Sequence, residues 1–148
     1  LRMALVMSTT PGSDKNVGEN QIRGMRNFSN KIWNASRYIL TKEGEKVTSG
    51  EYDQAFTEKL NLVVSEISQQ LDNLKIGLAS ETVYNEFWHW YCDICIEKNK
   101  SGELSDEKLL HGLKTFLILL HPFVPFVTEA IWTTFNKDLL ITSPWPVS

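Results

Sequence analysis

The sequence predicts an all-α protein that folds as an antiparallel helix bundle. Apolar residues recur at three- and four-residue intervals through most of the chain, and segments that alternate polar and apolar residues are scarce. The connections between the helical segments are short, which favours antiparallel neighbours. With 148 residues, 42% hydrophobic content and five tryptophans, the chain can bury one substantial core. Residues 1–148 are therefore expected to form a single domain.

Six helical segments are expected, separated by turn-rich or polar residues. Ser105 is expected to cap the fifth helix, although Lys108 stands where a complete capping box has Glu. Pro122 and Pro125 interrupt the pattern after that helix, because proline disrupts a helix interior. The expected helices are 1–7, 19–42, 53–74, 80–99, 105–120 and 128–135, and the expected non-helical segments are 9–16, 43–52 and 138–148.

Residues 19–42 are the most informative segment, because one helix there carries two different faces at 100° per residue. One face is apolar apart from two small serines and is expected to pack on the core, with Trp33 as a buried structural residue. The other face combines amides, cations and an aromatic ring. The apolar face holds Ile22, Met25, Phe28, Ser29, Ile32, Trp33, Ser36, Ile39 and Leu40, and the polar face holds Asn27, Asn30, Lys31, Asn34, Arg37, Tyr38 and Thr41.

The composition of this polar face is typical of groups that bind unpaired nucleotides. Amides pair with base edges, cations neutralise phosphates, and an aromatic ring stacks on bases. Residues 19–42 contain five of the 15 Lys and Arg residues but one of the 18 Asp and Glu residues, in a chain of formal net charge −3. This pattern favours RNA binding at one place, with an affinity that falls as salt rises. The alternative is a solvated helix face with a chance excess of arginine.

No pattern typical of a catalytic or metal site occurs in the sequence. Cys92 and Cys95 form a C-x-x-C motif, but they lie within a predicted helix without a second cysteine pair, so both are expected to be core residues. His89, His111 and His121 are scattered, and His121 is expected to pack against or cap a helix end. The glycines lie apart rather than in a phosphate-binding loop. No catalytic residue, metal or cofactor is therefore expected in this chain.

The aromatic residues of the later helices are expected to fill the core of the bundle. Tyr38 differs from them, because it lies on the polar face of its helix, where a core role is harder to assign. The expected core aromatics are Phe87, Trp88, Trp90, Tyr91, Phe116, Phe123, Phe126 and Trp132.

The cellular setting is expected to be the cytoplasm. No apolar run reaches the roughly 20 residues that span a bilayer, and the opening LRMALVM is too short for a secretion signal. Two cysteines without a disulfide framework fit a reducing compartment. The chain begins at Leu1, within a predicted helix, which leads us to expect that it is part of a longer protein.

Several motifs occur in the order typical of one family. RNFSNKIWNASRYIL at 26–40 is similar to RNF-x-NK-hydrophobic-WNA-x-RF, and FWHWYCDICIEKNK at 87–100 resembles F-x-W-x-x-F-C-D-W-Y-hydrophobic-E. LLHPFVPFVTEAIW at 119–132, the later SPWP and the opening LRMALVMSTTPGSDKNV also match. Together they resemble the valyl-tRNA synthetases over almost all of the chain. Isoleucyl and leucyl synthetases share the bundle and an H-P-F-like turn but lack RNF-x-NK-x-WNA.

The resemblance implies the anticodon-binding helical domain of a class I aminoacyl-tRNA synthetase, with residues 1–18 as a connector from the stem-contact region. The parent enzyme would attach valine to its tRNA with ATP, in a Rossmann domain that carries H-I-G-H and K-M-S-K-S, beside a separate editing domain. Those catalytic and editing domains would be partners within the same chain. This segment would be a binding module whose partner is the anticodon loop of valine tRNA, with no membrane role.

On this basis, specific residues of the polar face are expected to bind the anticodon. Lys31 is expected to donate to a base or phosphate, and Tyr38 to stack on an unpaired base where the family usually has Phe. Asn20 stands where many members have Arg or Lys, which weakens any base contact there. Arg23 and Arg26 are expected to contact phosphates or, alternatively, carboxylates within the chain, and the alternative weighs most for Arg26, near the edge of the apolar face. The expected anticodon-binding residues are Lys31, Tyr38, Asn34, Arg37, Asn27 and Asn30.

Two other functions stay open from the residues alone. The chain could belong to an isoleucyl or leucyl synthetase, against which the WNA-x-R motif argues. It could also be a helical interaction module without an RNA role, in which case the polar face of residues 19–42 would contact protein and bind no RNA in a salt-dependent way.

Overall fold

A computed structural model describes residues 1–7, 17–42 and 46–147. The described chain is helical, and its helices lie close to the predicted positions. The predicted connector at 9–16 lies outside the described residues. The elements are α1 Arg2–Val6, α2 Glu19–Leu40, α3 Asp53–Asp72, α4 Ile76–Asn85, a π-helix Glu86–Cys95, α5 Ile96–Lys100, α6 Asp106–Leu120, α7 Pro125–Trp132 and a 3₁₀ turn Leu140–Thr142.

The two ends of α6 follow the predicted sequence signals. The Ser105 hydroxyl accepts a hydrogen bond from the Lys108 backbone N–H at 3.4 Å, which confirms the N-cap. After Leu120 the chain turns through His121, whose Nδ1 lies 2.8 Å from the Thr128 hydroxyl, so this histidine packs at the helix end as predicted. α7 then starts at Pro125, three residues earlier than predicted, because the first helical position tolerates proline well.

The segment from Ile76 to Lys100 differs most from the prediction. It starts four residues earlier than expected, after a tight turn in which Leu74 has a φ of 58°. Its central ten residues form a π-helix, in which hydrogen bonds join residues five apart; at its end, for example, the Ile96 N–H donates to the Tyr91 carbonyl. The segment is helical as predicted, but over 86–95 it is a π-helix and not the α-helix that the all-α prediction implied.

The core forms around α6, which packs against α2, α3, α4, α5, α7 and the π-helix. Aromatic rings dominate it, with Phe87, Tyr91 and Phe116 in mutual contact at centroid distances of 5.1–5.7 Å. Gly112 allows α6 to lie close to α3 and the π-helix, because a Cβ atom at this position would be 2.7 Å from the side chains of Phe56 and Tyr91. Among the described helices, none is both long and apolar enough to cross a membrane.

Two aromatic residues are not where the sequence predicted them. Trp33 is 45% exposed, because the buried face of α2 is narrower than expected and consists of Phe28, Ile32, Ala35 and Ser36. Phe126 is 91% exposed. It lies two positions before the buried Thr128 on α7, which places it about 200° around the helix and on the opposite side.

The two cysteines are core residues, as predicted. Cys92 and Cys95 are both buried free thiols on the π-helix. Burial raises the pKa of each thiol to about 12. A thiol with so high a pKa is a poor nucleophile and a poor metal ligand at neutral pH.

Candidate nucleic-acid interface

The candidate interface lies along α2, where its polar face borders the π-helix and α5. Asn27, Asn30, Asn34 and Arg37 are exposed, as expected for a binding surface. Because α6 and α7 cover other parts of α2, this polar face is the side that remains open among the described residues. Two of its members, Lys31 and Tyr38, are partly buried by side chains from the neighbouring helical segment.

Lys31 has partners on the π-helix. Its Nζ donates to Asp93 Oδ1 at 3.1 Å and lies 5.2 Å from the centre of the Trp88 ring. His89 Nδ1 lies 3.6 Å from the other carboxylate oxygen, Oδ2, which is too far for a hydrogen bond. The ammonium is therefore held at the border between two helices rather than extended into solvent.

Tyr38 has a partner on α5. The Lys100 Nζ lies 5.4 Å from the centre of its ring, and the ring itself packs against the core cluster. The same ammonium donates to Glu97 Oε1 at 2.6 Å, and this hydrogen bond raises the pKa of Lys100. The Tyr38 ring is thus half-buried and in contact with the Lys100 ammonium, whereas the sequence predicted an open aromatic surface.

Three arginines of α2 are exposed and have no charged partner within the described residues. Arg23, Arg26 and Arg37 are exposed, and none forms an ion pair with a residue that the structure describes. The alternative of an intrachain ion pair for Arg26 finds no support in the described part of the chain. Unpaired guanidinium groups on one helix form a suitable surface for phosphates.

A polar cluster fixes the C-terminal end of α2 to the start of α6. Lys42 Nζ donates to Asn99 Oδ1 and to Asp106 Oδ1, both at 2.6 Å, and the buried Asn99 amide donates to Asp106 Oδ1 at 2.8 Å. Asp106 Oδ2 also accepts the Val47 N–H at 3.0 Å. Burial acts to raise the pKa of Asp106, but the hydrogen bonds from Asn99, Lys42 and Val47 outweigh it and hold that pKa below 3.8. This cluster positions Tyr38 and Lys100, because it joins the elements that carry them.

An apolar cleft of about 150 Å³ lies beside the interface, between α2 and α7. Trp33 forms one wall and Ile131 another, with Arg37 at the edge that borders the polar face. The Ser36 hydroxyl, which belongs to the same lining, is buried and has no hydrogen-bond partner among the described residues. The cleft explains why Trp33 stays half exposed: α7 does not reach across it.

The structure adds residues that the sequence did not assign to the interface, namely Trp88, His89, Asp93 and Lys100. All of them belong to the helical segment that follows α3. The basic side chains after the C-x-x-C motif were a weak sequence signal for Lys100. The spacing of an α-helix does not place Trp88 and Asp93 on the same side of the helix, so the sequence carried no signal that both lie beside Lys31.

Comparison with known proteins identifies the class to which this fold belongs. The family model described as the anticodon-binding domain of tRNA ligase matches residues 53–148. The chain belongs to this family. The matched region starts at α3, so the α2 face lies outside it.

The relatives that cover α2 as well are valine–tRNA ligases. The chain is 36% identical to the valine–tRNA ligase of Carboxydothermus hydrogenoformans, 35% identical to that of Clostridium tetani and 34% identical to that of Pelagibacter ubique. Each alignment covers 99% of this chain and 19% of the relative. The chain therefore spans about a fifth of the length of the curated relatives it matches.

A solved structure supports the fold. The ternary complex LeuRS–tRNA–LeuAMS of Agrobacterium radiobacter K84 contains a chain that superposes on 99% of this one with a TM-score of 0.74. The match covers 19% of that chain, and the sequence identity is 19%. The helix bundle is thus shared with part of that chain.

Proposed function

We propose that the chain binds the anticodon loop of a valine tRNA, as part of a valine–tRNA ligase that attaches valine to this tRNA with ATP. The observation that carries the proposal is the open polar face of α2, whose amides and half-buried Tyr38 share one helix with three exposed arginines that form no ion pair with a described residue. The similarity to valine–tRNA ligases over 99% of the chain supports the choice of tRNA. The catalytic and editing domains of the parent enzyme would act elsewhere in the same protein, in the cytoplasm.

The loop would be bound by three kinds of contact. Arg23 and Arg26 neutralise backbone phosphates and position the loop, while the amides of Asn27, Asn30 and Asn34 hydrogen-bond to exposed base edges. Arg37 lies at the far end of the same face and contacts a base or a phosphate there. Because all valine codons share their first two bases, the second and third anticodon bases identify the tRNA.

Tyr38 would stack on one of these bases. The Lys100 ammonium lies over the ring, and the ring packs against the core. A base that stacks on Tyr38 therefore takes the place of this ammonium. Lys100 is long and exposed, so it can move aside and pair with the phosphate of the stacked nucleotide.

A salt titration with a stem-loop RNA tests the proposal. The RNA carries the valine anticodon 5′-GAC-3′, and the matched RNA has its middle base changed, 5′-GGC-3′. We expect tighter binding to the GAC loop. The logarithm of the association constant should fall linearly with the logarithm of the salt concentration, with a slope of about −0.7 per phosphate contact. Arg23→Gln should reduce this slope by about one contact. Equal affinity for the two loops would contradict anticodon reading.

Tyr38→Ala tests the stacking contact. Stacking of a base on an aromatic ring is worth about 1–3 kcal/mol, so the affinity for the GAC loop should fall about 5- to 150-fold. Tyr38→Phe is the matched control, because it keeps the ring and should leave the affinity nearly unchanged. An unaltered affinity of a folded Tyr38→Ala variant would show that no base stacks there.

A further inference from the structure

The ion pair between Lys31 and Asp93 leaves hydrogen-bonding capacity unused at an accessible place. An ammonium has three N–H donors, and the carboxylate of Asp93 takes one of them. Asp93 Oδ2 accepts no hydrogen bond from any residue in the described ranges, since His89 lies 3.6 Å away. The side chains of Lys31 and Asp93 are 33% and 46% exposed, so a ligand can reach both.

A free donor beside a free acceptor matches one class of nucleobase edge. Adenine and cytosine each carry a ring nitrogen that accepts a hydrogen bond next to an exocyclic amino group that donates one. Uracil and hypoxanthine present an N–H and a carbonyl oxygen at the corresponding positions, which reverses the order of donor and acceptor. The pair can therefore distinguish amino bases from keto bases held in the same orientation.

We propose that Asp93 and Lys31 together read an adenine or cytosine of the bound RNA. The Lys31 ammonium donates to the ring nitrogen, and the free oxygen of Asp93 accepts from the exocyclic amino group. Asp93 is thus a specificity-determining residue of the interface and not only a counter-ion of Lys31. The inference rests on the proposed function, because it assigns a base-reading role within the same surface.

Three observations favour this role over a purely structural one. The ion pair is exposed, and exposed ion pairs add little to stability. The neighbouring Trp88 ring lies beneath the ammonium and restricts where it can point. The valine anticodon contains adenine at its second position and cytosine at its third, both of which are amino bases, whereas isoleucine anticodons differ at the third position.

The test measures the binding of three stem-loop RNAs to the 148-residue chain. The loops carry 5′-GAC-3′, 5′-GAU-3′ with the third base changed to uracil, and 5′-GIC-3′ with inosine at the second. One of the two changed loops alters the base that Asp93 and Lys31 read. The unaltered chain should bind GAC about 5- to 150-fold more tightly than that loop, which is the discrimination that a bidentate base contact gives. Asp93→Ala should bring that ratio close to one.

Glu97→Ala is the matched control. It removes an equal charge from the same helical segment and frees Lys100, as Asp93→Ala frees Lys31. Both variants should bind all three loops with altered affinity, because the net charge of the surface rises. The preference for GAC over the loop in which the base read by Asp93 and Lys31 is changed should survive in Glu97→Ala and disappear in Asp93→Ala. Circular dichroism and thermal melts verify that both variants fold, which the exposure of both side chains predicts.

The outcomes separate this inference from the proposed function. If Asp93→Ala keeps the full preference for GAC, Asp93 has a structural role at most and the inference is wrong, while anticodon reading stands. If the unaltered chain binds the three loops equally, both the proposed function and the inference are wrong. A complete lack of binding to any loop would likewise overturn both for this chain.

Discussion

The orientation of α2 decides which side chains face RNA, and two truncations on that helix test it. Phe28 is fully buried and contacts the rings of Tyr84, Phe87 and Trp88 at centroid distances of 4.6, 5.9 and 6.0 Å. Phe28→Ala should therefore cost about 3–5 kcal/mol through cavity formation. Trp33 is 45% exposed. Burial of a large apolar side chain is worth about 1.5–3 kcal/mol, so the half-exposed Trp33 should lose roughly half of that on truncation to Ala, about 0.8–1.5 kcal/mol.

Thermal unfolding followed by circular dichroism measures both effects. For a chain of this size about 1 kcal/mol lowers the Tm by about 2–4 °C, so Phe28→Ala should lower it by roughly 6–20 °C and Trp33→Ala by roughly 2–6 °C. Phe28→Leu, which keeps most of the volume, gives a measurable intermediate value if Phe28→Ala does not fold. A larger loss for Trp33→Ala than for Phe28→Ala would refute the packing of α2, and with it the position of the polar face.

Two further predictions concern stability. Leu74 has a φ of 58°, a conformation that costs a residue with a Cβ atom about 1–2 kcal/mol and costs glycine almost nothing. Leu74→Gly should therefore raise the Tm, whereas Leu74→Ala should not. The pKa of Asp106 is held below 3.8 in the folded chain. The ionised carboxylate therefore stabilises the fold above pH 3.8, and this stabilisation is lost as the pH falls through the pKa of Asp106 in the folded chain. Asp106→Asn should therefore be less stable than the unaltered chain at pH 7, and melts from pH 7 to 3 should show the difference narrowing below about pH 4.

Hydrophobic periodicity was enough to predict where the helices lie, because helical spacing of apolar residues is a local property of the chain. Capping and proline signals added the two ends of α6, which begins directly after the N-cap Ser105 and ends shortly before Pro122. The exposed polar face of α2 followed from the same periodicity. These features depend on the local sequence and not on which helices pack against each other.

The positions of Trp33 and Phe126 depend on neighbouring helices and were predicted wrongly for that reason. Both are large and apolar, and each lies at or beyond the edge of an apolar helix face. Whether such a residue is covered depends on how far the adjacent helix reaches, which sequence spacing does not encode. At Trp33 the neighbour α7 leaves a cleft open, and at Phe126 no described helix packs on that side.

The same limit explains why Asp93 and Trp88 could not be assigned to the interface from sequence. They are five residues apart, which in an α-helix at 100° per residue separates them by about 140°. In the π-helix, where hydrogen bonds join residues five apart, both reach the Lys31 ammonium. A π-helix is less favourable than an α-helix and persists where the surrounding structure requires it. Here it brings a ring and a carboxylate to one cation, an arrangement that a regular α-helix over the same ten residues would not allow.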